Sequence, residues 1–273
     1  MLTNRLNLPD GVVAAVTNDP YTRGDSDISV TQLISPAYQR KLRQEVEVVE
    51  DVSDRIWSLL GQSVHTVLER AYRGKGRAEE RLFMNVNGWK VSGQFDVIED
   101  GCLQDYKVTS VWSVIGEGKV EWEQQLNLLR LLAHHSGIDV TSLRIIAILR
   151  DWSKSRTTSA DYPKAQVVAL DIPMWSLEDA EAFMLERVLA HQHPDPPVCN
   201  DEERWKRDDV FAVVKAGRKT AVKLHDGWKM ALAHAEELGN GHSVETRPGG
   251  YTRCEGYCNV SHECPAMRTE VGF

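Results

Sequence analysis

The sequence has no run of about 18 or more apolar residues, the length that a membrane-spanning helix requires. Its first residues, MLTNRLNLPDGVV, do not join a basic stretch to an apolar one, which is the pattern of a secretory signal. These two absences argue against membrane insertion and export. We therefore expect a soluble, cytoplasmic protein that does not interact with membranes.

Cysteine is scarce, and basic residues are fewer than acidic ones. Only five cysteines occur in 273 residues, and a reducing compartment argues against a disulfide framework. Lysine and arginine number 32 against 40 aspartates and glutamates, which gives a net charge of -8. This balance argues against a surface that is basic overall, but a local basic groove would be enough to bind nucleic acid.

The distribution of turn signals and cysteines suggests three segments. We predict an N-terminal arm over residues 1–52, a core over 53–193 and a C-terminal extension over 194–273 that packs on the core. Turn-forming stretches such as NDPYTRGDSD fill the first segment, and four of the five cysteines lie in the last.

Three stretches are expected to be helical, two from their apolar spacing and one from a capping signal. Apolar residues recur at intervals of three and four from Ser53 to about Tyr72, which predicts an amphipathic helix. A second helix is expected from Val120 to His135, with Gly137 as its stop. A capping box in SLED opens a third helix, from Ser176 to about His191.

Strand patterns lie between the first two helices. The pairs Asn87-Gly88 and Asp100-Gly101 separate three apolar runs, which predicts a three-stranded antiparallel meander. The run LRIIAILRD after the second helix predicts a short buried strand. The expected fold is therefore mixed α/β (α+β), in the order helix, three strands, helix, strand.

The third predicted strand carries two charged residues where apolar ones would pack more easily. Asp105 and Lys107 are two positions apart, so in a strand they point to the same face, while Tyr106 points away. Asp96 lies in the preceding strand and can converge with them across the turn. Carboxylates on a rigid sheet favour Mg2+ or Mn2+, whereas the alternative is an ordinary surface ion pair between Asp105 and Lys107.

The order of these elements and residues resembles the PD-(D/E)XK nuclease superfamily, in particular its RecB-like branch, and the resemblance covers roughly residues 53–152. That family has a restriction-endonuclease-like core with a histidine on the first helix, an aspartate on the second strand, a D/E-x-K pair on the third, and a Q-x-x-x-Y motif on the next helix. The matching residues here are His65, Asp96, Asp105, Lys107 and Gln125.

The resemblance implies an active site and a cofactor. The implied metal ligands for Mg2+ or Mn2+ are His65, Asp96, Asp105 and the carbonyl of Tyr106. The implied catalytic residues are Asp96, Asp105, Lys107 and Gln125, with Lys107 activating water and Gln125 fixing the geometry. Taken alone, His65 fits an ordinary helix histidine as well as a ligand.

Two positions differ from the family pattern. Leu129 stands where the tyrosine of Q-x-x-x-Y would be, and Phe95 stands before Asp96 where proline is frequent.

Two further residues carry expectations. Glu80 resembles an acidic residue whose position varies within the family, so we expect it to be accessory. Gly61, in the middle of a helix, costs about 1 kcal/mol relative to alanine, so we expect another group to approach closely there.

The C-terminal cysteines form a second constellation. Cys254, Cys258 and Cys264 have the spacing C-x3-C-x5-C, and Cys199 lies upstream. This arrangement resembles that of AddB-like iron-sulfur nucleases, and the resemblance implies one 4Fe-4S cluster held by the four thiolates. Zn2+, with His262 in place of one thiolate, and unligated cysteines are the alternatives, since the family usually has two residues between the first pair.

The resemblance implies a metal-dependent DNA exonuclease that processes DNA ends in bacterial or phage recombination, repair or replication. Two alternatives stay open: a nuclease subunit that acts with a recombinase, helicase or single-strand-binding protein, and a non-catalytic nucleic-acid-binding module. Basic side chains could line a channel for a single strand, with Trp152 or Trp205 stacking on its bases. The same side chains would also be compatible with ordinary solvated faces.

Overall fold

A computed structural model describes residues 1–19, 22–72, 76–116 and 119–267. The chain divides into two compact units: unit 1 consists of Met1–Lys41 and Glu47–Pro196, and unit 2 of Leu42–Val46 and Pro197–Phe273. Helices and β-sheets occur together, which confirms the mixed α/β class. Within the described ranges, no helix is long and apolar enough to cross a membrane.

The described residues form α-helices and short β-strands. The helices are α1 (Asp10–Thr17), α2 (Val30–Leu33), α3 (Ala37–Glu45), α4 (Ile56–Tyr72), α5 (Val120–His135), α6 (Leu177–Gln192), α7 (Trp228–Leu238) and α8 (Thr252–Gly256). The strands are β1 (Leu2–Thr3), β2 (Ile28–Ser29), β3 (Glu50–Asp51), β4 (Arg77–Ala78), β5 (Arg81–Val86), β6 (Trp89–Gln94), β7 (Val97–Glu99), β8 (Cys102–Thr109), β9 (Ser142–Leu149), β10 (Val167–Ile172), β11 (Val210–Lys215), β12 (Lys223–His225) and β13 (His242–Arg247).

The three helices predicted from periodicity are present. Gly137 follows α5 with a φ of +74°, a left-handed conformation that glycine adopts readily at a helix end. The Ser176 hydroxyl accepts a hydrogen bond from the Asp179 amide at 3.0 Å and caps α6. Local sequence therefore sets the ends of these helices.

Both predicted hairpin turns are also present. Asn87-Gly88 joins β5 to β6 and Asp100-Gly101 joins β7 to β8, each as an antiparallel pair. All four turn residues have positive φ, as type I′ turns require, and Asn, Asp and Gly tolerate that conformation.

The predicted single meander is wrong in one respect, because its middle strand is interrupted at Phe95 and Asp96. The part before the interruption, β6, pairs in a sheet ordered β2-β6-β5, and the part after it, β7, pairs in a sheet ordered β10-β9-β8-β7-β4. The chain makes the same switch between β4 and β5, at Glu79 and Glu80. We call this place, formed by Glu79–Glu80 and Phe95–Asp96, the corner.

Backbone hydrogen bonds hold the two crossing segments together at the corner. The Glu79 amide donates to the Asp96 carbonyl at 2.9 Å, and the Phe95 amide donates to the Glu80 carbonyl at 3.3 Å. Phe95 is fully buried and anchors the bend in the core. Glu79 has a φ of +54°, a conformation that non-glycine residues adopt at a cost and that marks a specially shaped position.

The core of unit 1 lies around α5, which connects the parallel strands β8 and β9. Leucines 126, 128, 129, 131 and 132 of α5 are all buried, as are alternate residues of β9. Residues Ile28, Val30 and Leu33 from the N-terminal 52 residues belong to the same core. The helix and sheet therefore form a rigid support under the corner.

Unit 2 contains a three-stranded antiparallel sheet, ordered β12-β11-β13, with α7 packed on it. Val213, Ala231 and Ala235 form its small core. The segment that follows β13 needs glycine at position 249, because a Cβ there would overlap the Arg207 carbonyl.

Candidate active site

The first part of the site is a group of three side chains at the corner. The Nδ1 atom of His65, on α4, lies 3.5 Å from Glu79 Oε1 and 3.4 Å from Asp96 Oδ1. Among the described residues, these three form a group whose potential ligand atoms all lie within 4.8 Å of one another. We call His65, Glu79 and Asp96 the triad.

The second part is a charged cluster on β8 and α5. The Lys107 ammonium lies 2.7 Å from Asp105 Oδ2 and donates to Gln125 Oε1 at 3.1 Å. The Gln125 amide in turn donates to Asp105 Oδ1 at 3.2 Å. The structure therefore brings Asp105, Lys107 and Gln125 together, and Gln125 orients both charged groups.

Asp96 connects the two parts. Its Oδ2 atom accepts a hydrogen bond of 2.6 Å from the Tyr106 amide, at the point where the ladder between β7 and β8 has ended. The carboxylate thus replaces the strand partner that Tyr106 would otherwise have. Because the N–H and C=O of one strand residue point to the same edge, the Tyr106 carbonyl also faces the triad side of β8.

Among the acidic side chains and the histidine of the site, exposure increases from Asp105 towards His65. The side chain of Asp105 is 3 % exposed and that of Asp96 is 11 % exposed, whereas Glu79 and His65 reach 19 % and 33 %. Asp105 therefore lies in the interior, and the triad lies closer to solvent, where an ion or a substrate can reach it.

The electrostatics of the site reflect these positions. Burial, together with the nearby charge of Asp105, raises the pKa of Asp96 to about 7. Hydrogen bonding to Glu79 raises the pKa of His65, and the charge of Asp96 adds to the rise while burial opposes it. Burial lowers the pKa of Lys107, but the charges of Asp105 and Asp96 outweigh it and the pKa is raised overall.

A chain of polar side chains orients Glu79. The Gln94 amide donates to Glu79 Oε2 at 2.6 Å, and Arg81 donates to Gln94 Oε1 at the same distance. Gln94 and Arg81 are cross-strand partners in β6 and β5, so the sheet fixes their positions. This support leaves Glu79 Oε1 directed at His65.

Both parts of the site open onto one cavity of about 810 Å³ in unit 1. Its wall includes the triad, the charged cluster and Leu129. Leu129, which stands at the tyrosine position of the family motif, is buried and packs over Gly93. A Cβ at Gly93 would lie 2.5 Å from Leu129 Cδ2, so glycine is needed for this close contact.

Sequence reasoning missed Glu79 and favoured its neighbour. Glu80 pairs with Arg77 at 2.9 Å and is not part of the triad. The positive φ of Glu79 accompanies the switch between sheets, and the interrupted strand pairing that requires this switch leaves no pattern in the local sequence. Among the described residues, no protein group makes the close approach that was expected at Gly61, because nothing lies within 4 Å of a Cβ built there.

The candidate cluster ligands Cys199, Cys254, Cys258 and Cys264 all lie in unit 2, without disulfides. Their segments meet because the Thr252 and Arg253 amides donate to the Trp205 and Arg204 carbonyls. Burial raises the pKa of Cys199 to about 12, and the charges of Glu203 and the other three thiols contribute. These sulfurs form no group of three as tight as the 4.8 Å triad.

Comparison with known proteins gives little further information. No family model matches this sequence, and no curated protein matches it. Among solved structures, the crystal structure of SSO0001 is similar with a TM-score of 0.44 and 15% identity, over 65% of this chain and 83% of that chain. At this level the similarity assigns no function.

Proposed function

We propose that this protein is a metal-dependent deoxyribonuclease of the PD-(D/E)XK type that acts as an exonuclease on DNA ends. The observation that carries the proposal is that the triad and the charged cluster line the same cavity, joined by the bond between Asp96 and the Tyr106 amide. Paired carboxylates, a half-buried lysine and a cleft are components that metal-assisted phosphodiester hydrolysis uses.

The triad has the chemistry of a divalent-cation site. One imidazole and two carboxylates suit Mn2+ or Mg2+, and the Tyr106 carbonyl faces the same edge as a further oxygen donor. Burial and the neighbouring charge of Asp105 both raise the pKa of Asp96, and a bound cation would counter both effects. A bound divalent cation would supply Lewis acidity for the attack of water on phosphorus.

The charged cluster is suited to the phosphate itself. Lys107 places its ammonium between Asp105 and Gln125, where it can stabilise the negative charge that develops on a phosphate oxygen. Asp105 is held by Lys107 and Gln125, and it completes the carboxylate side of the site beside Asp96. Hydrolysis joins the water oxygen to phosphorus, breaks one P–O ester bond and returns a proton to the departing alcohol.

A 4Fe-4S cluster in unit 2 is the second part of the proposal. Burial raises the pKa of Cys199, with smaller contributions from Glu203 and the other three thiols, and a metal centre that binds thiolates would offset these unfavourable effects. The thiolates of a 4Fe-4S cluster bind different irons, so they stand farther apart than thiolates that share one zinc ion. The backbone contacts between the segments that carry Cys199 and Cys254 support a shared metal centre, and the metal content of the purified protein distinguishes iron from zinc.

Incubation of the purified protein with end-labelled single- and double-stranded DNA tests the proposal, with Mg2+, Mn2+ or EDTA in parallel. We expect shortening of the labelled strand with either cation and none in EDTA. Glu79→Gln should raise the Mn2+ concentration needed for activity, because one ligand charge is lost. The matched control is Glu80→Gln, since Glu80 pairs with Arg77 outside the triad.

Three results would contradict the assignment in different ways. Cleavage that persists in EDTA would remove the metal from the reaction. An unaltered metal titration in both Glu79→Gln and His65→Ala would show that the triad is not the cation site. DNA binding without cleavage, alone and with an added helicase or recombinase, would favour the non-catalytic binding module.

A further inference from the structure

Helix α4 is unusual in unit 1 because none of its residues is fully buried. Its sequence nevertheless has an apolar face, and Trp57 near its start is 56% exposed. Tryptophan contributes a large apolar area when it is buried, so an exposed one on the helix that also carries His65 calls for an explanation.

The indole of Trp57 is covered on one side by an arginine. The Arg150 guanidinium lies 4.2 Å from the centre of the ring, a cation–π contact. Arg150 follows the last residue of β9, and its amide donates to the Thr109 carbonyl at 2.9 Å. Since Thr109 lies two residues after Lys107 on β8, this contact places the Trp57–Arg150 pair beyond the end of the charged cluster.

Trp57 is also connected to the triad along α4. Trp57, Gly61 and His65 are spaced by four residues and form one stripe of the helix. The distance from Trp57 to His65 along the axis is about 12 Å, at 1.5 Å per residue. Gly61 lies between them and has open space around it, so no side chain blocks the way.

Positive charge lies on the same side of unit 1. Arg150 and Lys119 are both exposed to solvent. Partial burial lowers the pKa of Lys119, the charge of Glu121 opposes this, and the nearby charges of Arg150 and Lys107 add to the lowering. Cations beside an aromatic platform are the usual composition of a site for single-stranded nucleic acid.

We propose that Trp57 and Arg150 form a base-stacking subsite for the DNA strand whose phosphodiester lies at the triad. This inference rests on the proposed nuclease function and adds how the strand is held. The span of about 12 Å along α4 corresponds to about three to four stacked nucleotides at 3.4 Å each. The sugar-phosphate backbone passes Gly61, and the base at the far end stacks on the indole.

Trp152, the other tryptophan of unit 1 considered for stacking, is not available for it, since its indole packs against the core and donates to the Pro163 carbonyl.

If the contact between Trp57 and Arg150 is purely structural, removing Trp57 should have a different effect on DNA binding. If Trp57 only closes α4 onto the end of β9, its removal lowers the unfolding temperature and affects every DNA ligand equally. A stacking role requires that the loss depends on the presence of bases. A strand of the same length built from abasic sites separates the two, because it has the phosphates without the bases.

The experiment measures the Kd of the full-length protein for oligo-dT and for the abasic strand, in EDTA so that neither is hydrolysed. We expect Trp57→Leu to raise the Kd for oligo-dT about 5- to 140-fold, since stacking is worth about 1–3 kcal/mol per base. The Kd for the abasic strand should stay within about twofold, and Trp57→Phe should retain most of the affinity because it keeps an aromatic ring. Trp228→Leu, which replaces an exposed tryptophan of unit 2, is the control.

A fluorescence measurement on the wild type does not depend on the folding of the leucine variant. The emission of Trp57, taken as the difference between wild type and Trp57→Phe, should be quenched by oligo-dT and not by the abasic strand. Equal loss of affinity for both strands, or no loss, or no quenching by oligo-dT, would overturn the subsite while leaving the nuclease proposal in place. A wild type that binds neither strand would overturn both.

Discussion

At the scale of single residues, Asp96 has two roles that oppose each other. Its carboxylate accepts the Tyr106 amide and so completes the backbone hydrogen bonding at the corner. The same carboxylate is buried near Asp105, which makes its ionised form unfavourable and raises its pKa to about 7. The carboxylate that we propose as a cation ligand is therefore a source of instability when no cation is bound.

This conflict predicts how stability depends on pH in the metal-free protein. An aspartate with a pKa raised from 3.8 to about 7 keeps its proton longer in the folded state than in the unfolded state. The free energy of unfolding should therefore fall as the pH rises through this window. The raised pKa of His65 acts in the same direction, because its contribution is present below 6.5 and is lost as pH rises through its folded value.

Urea unfolding in EDTA at pH 5 and pH 8 measures this dependence. Asp96→Asn should reduce the fall in the free energy of unfolding from pH 5 to pH 8. Mn2+ should stabilise the wild type more at pH 8 than at pH 5. Glu80→Gln is the control, since Glu80 pairs with Arg77 outside the triad. An identical pH dependence in Asp96→Asn and wild type would contradict this account of Asp96.

The pair formed by Asp105 and Lys107 allows a second prediction. Lys107→Met should abolish DNA cleavage, and it should also lower the free energy of unfolding by about 1–3 kcal/mol, because the buried Asp105 loses its counter-charge. The double variant Asp105→Asn with Lys107→Met should recover much of that stability without recovering cleavage. Near wild-type cleavage by Lys107→Met would show that this lysine is not catalytic.

At the scale of elements, the site forms where the chain passes twice between two sheets, once between β4 and β5 and once between β6 and β7. An uninterrupted meander would continue the register of β7 and β8, place Asp96 opposite Asp105 and leave no edge for the triad. The corner instead gives β8 an open edge, which α4 approaches with His65. Interruptions of strand pairing are common next to active sites for this reason.

Two glycines near the corner give a matched test of this packing. Gly93→Ala should destabilise the protein by about 1–3 kcal/mol, because the added methyl group would meet Leu129 and Leu132. Gly61→Ala should instead stabilise it by about 0.5–1 kcal/mol, since the position is helical and the space beside it is open. Thermal unfolding of both variants checks the pair. Equal effects at the two positions would mean that the contact between β6 and α5 is not as close as described.

At the scale of the whole molecule, the two units carry separate chemistry. The carboxylates and the lysine lie in unit 1, whereas the four clustered cysteines lie in unit 2. Among the described residues of unit 2, the buried cluster under α7 contains only Val213, Ala231 and Ala235, so a metal centre would contribute a large share of the unit's stability.

Removal of the cysteine ligands should therefore affect the units differently. Protein purified without oxygen should contain iron, and replacing Cys199, Cys254, Cys258 or Cys264 by serine should remove it. Hydrogen exchange should then increase in residues 197–267 more than in β8 and α5. Cys102→Ser should change neither, because Cys102 lies in β8. Stoichiometric zinc in the wild type would replace the iron-sulfur proposal, and absence of both metals would leave the cysteines as packing residues.

The sequence by itself determined the features that depend on neighbours along the chain. The amphipathic spacing of α4 and α5, the Asn-Gly and Asp-Gly turns and the cap at Ser176 act over a few residues, so the pattern reveals them. The shared strand face of Asp105 and Lys107 follows from the two-residue period of a strand in the same way.

Only the tertiary structure decided which residues meet. The choice of Glu79 over Glu80, the interruption at Phe95 and Asp96, and the stacking of Arg150 on Trp57 all depend on segments that are distant in sequence. Nothing in the local pattern of two adjacent glutamates shows which one turns inward. That direction is set by the pairing of β4 with β7 and of β5 with β6, which forces the backbone of Glu79 into a positive φ between two sheets.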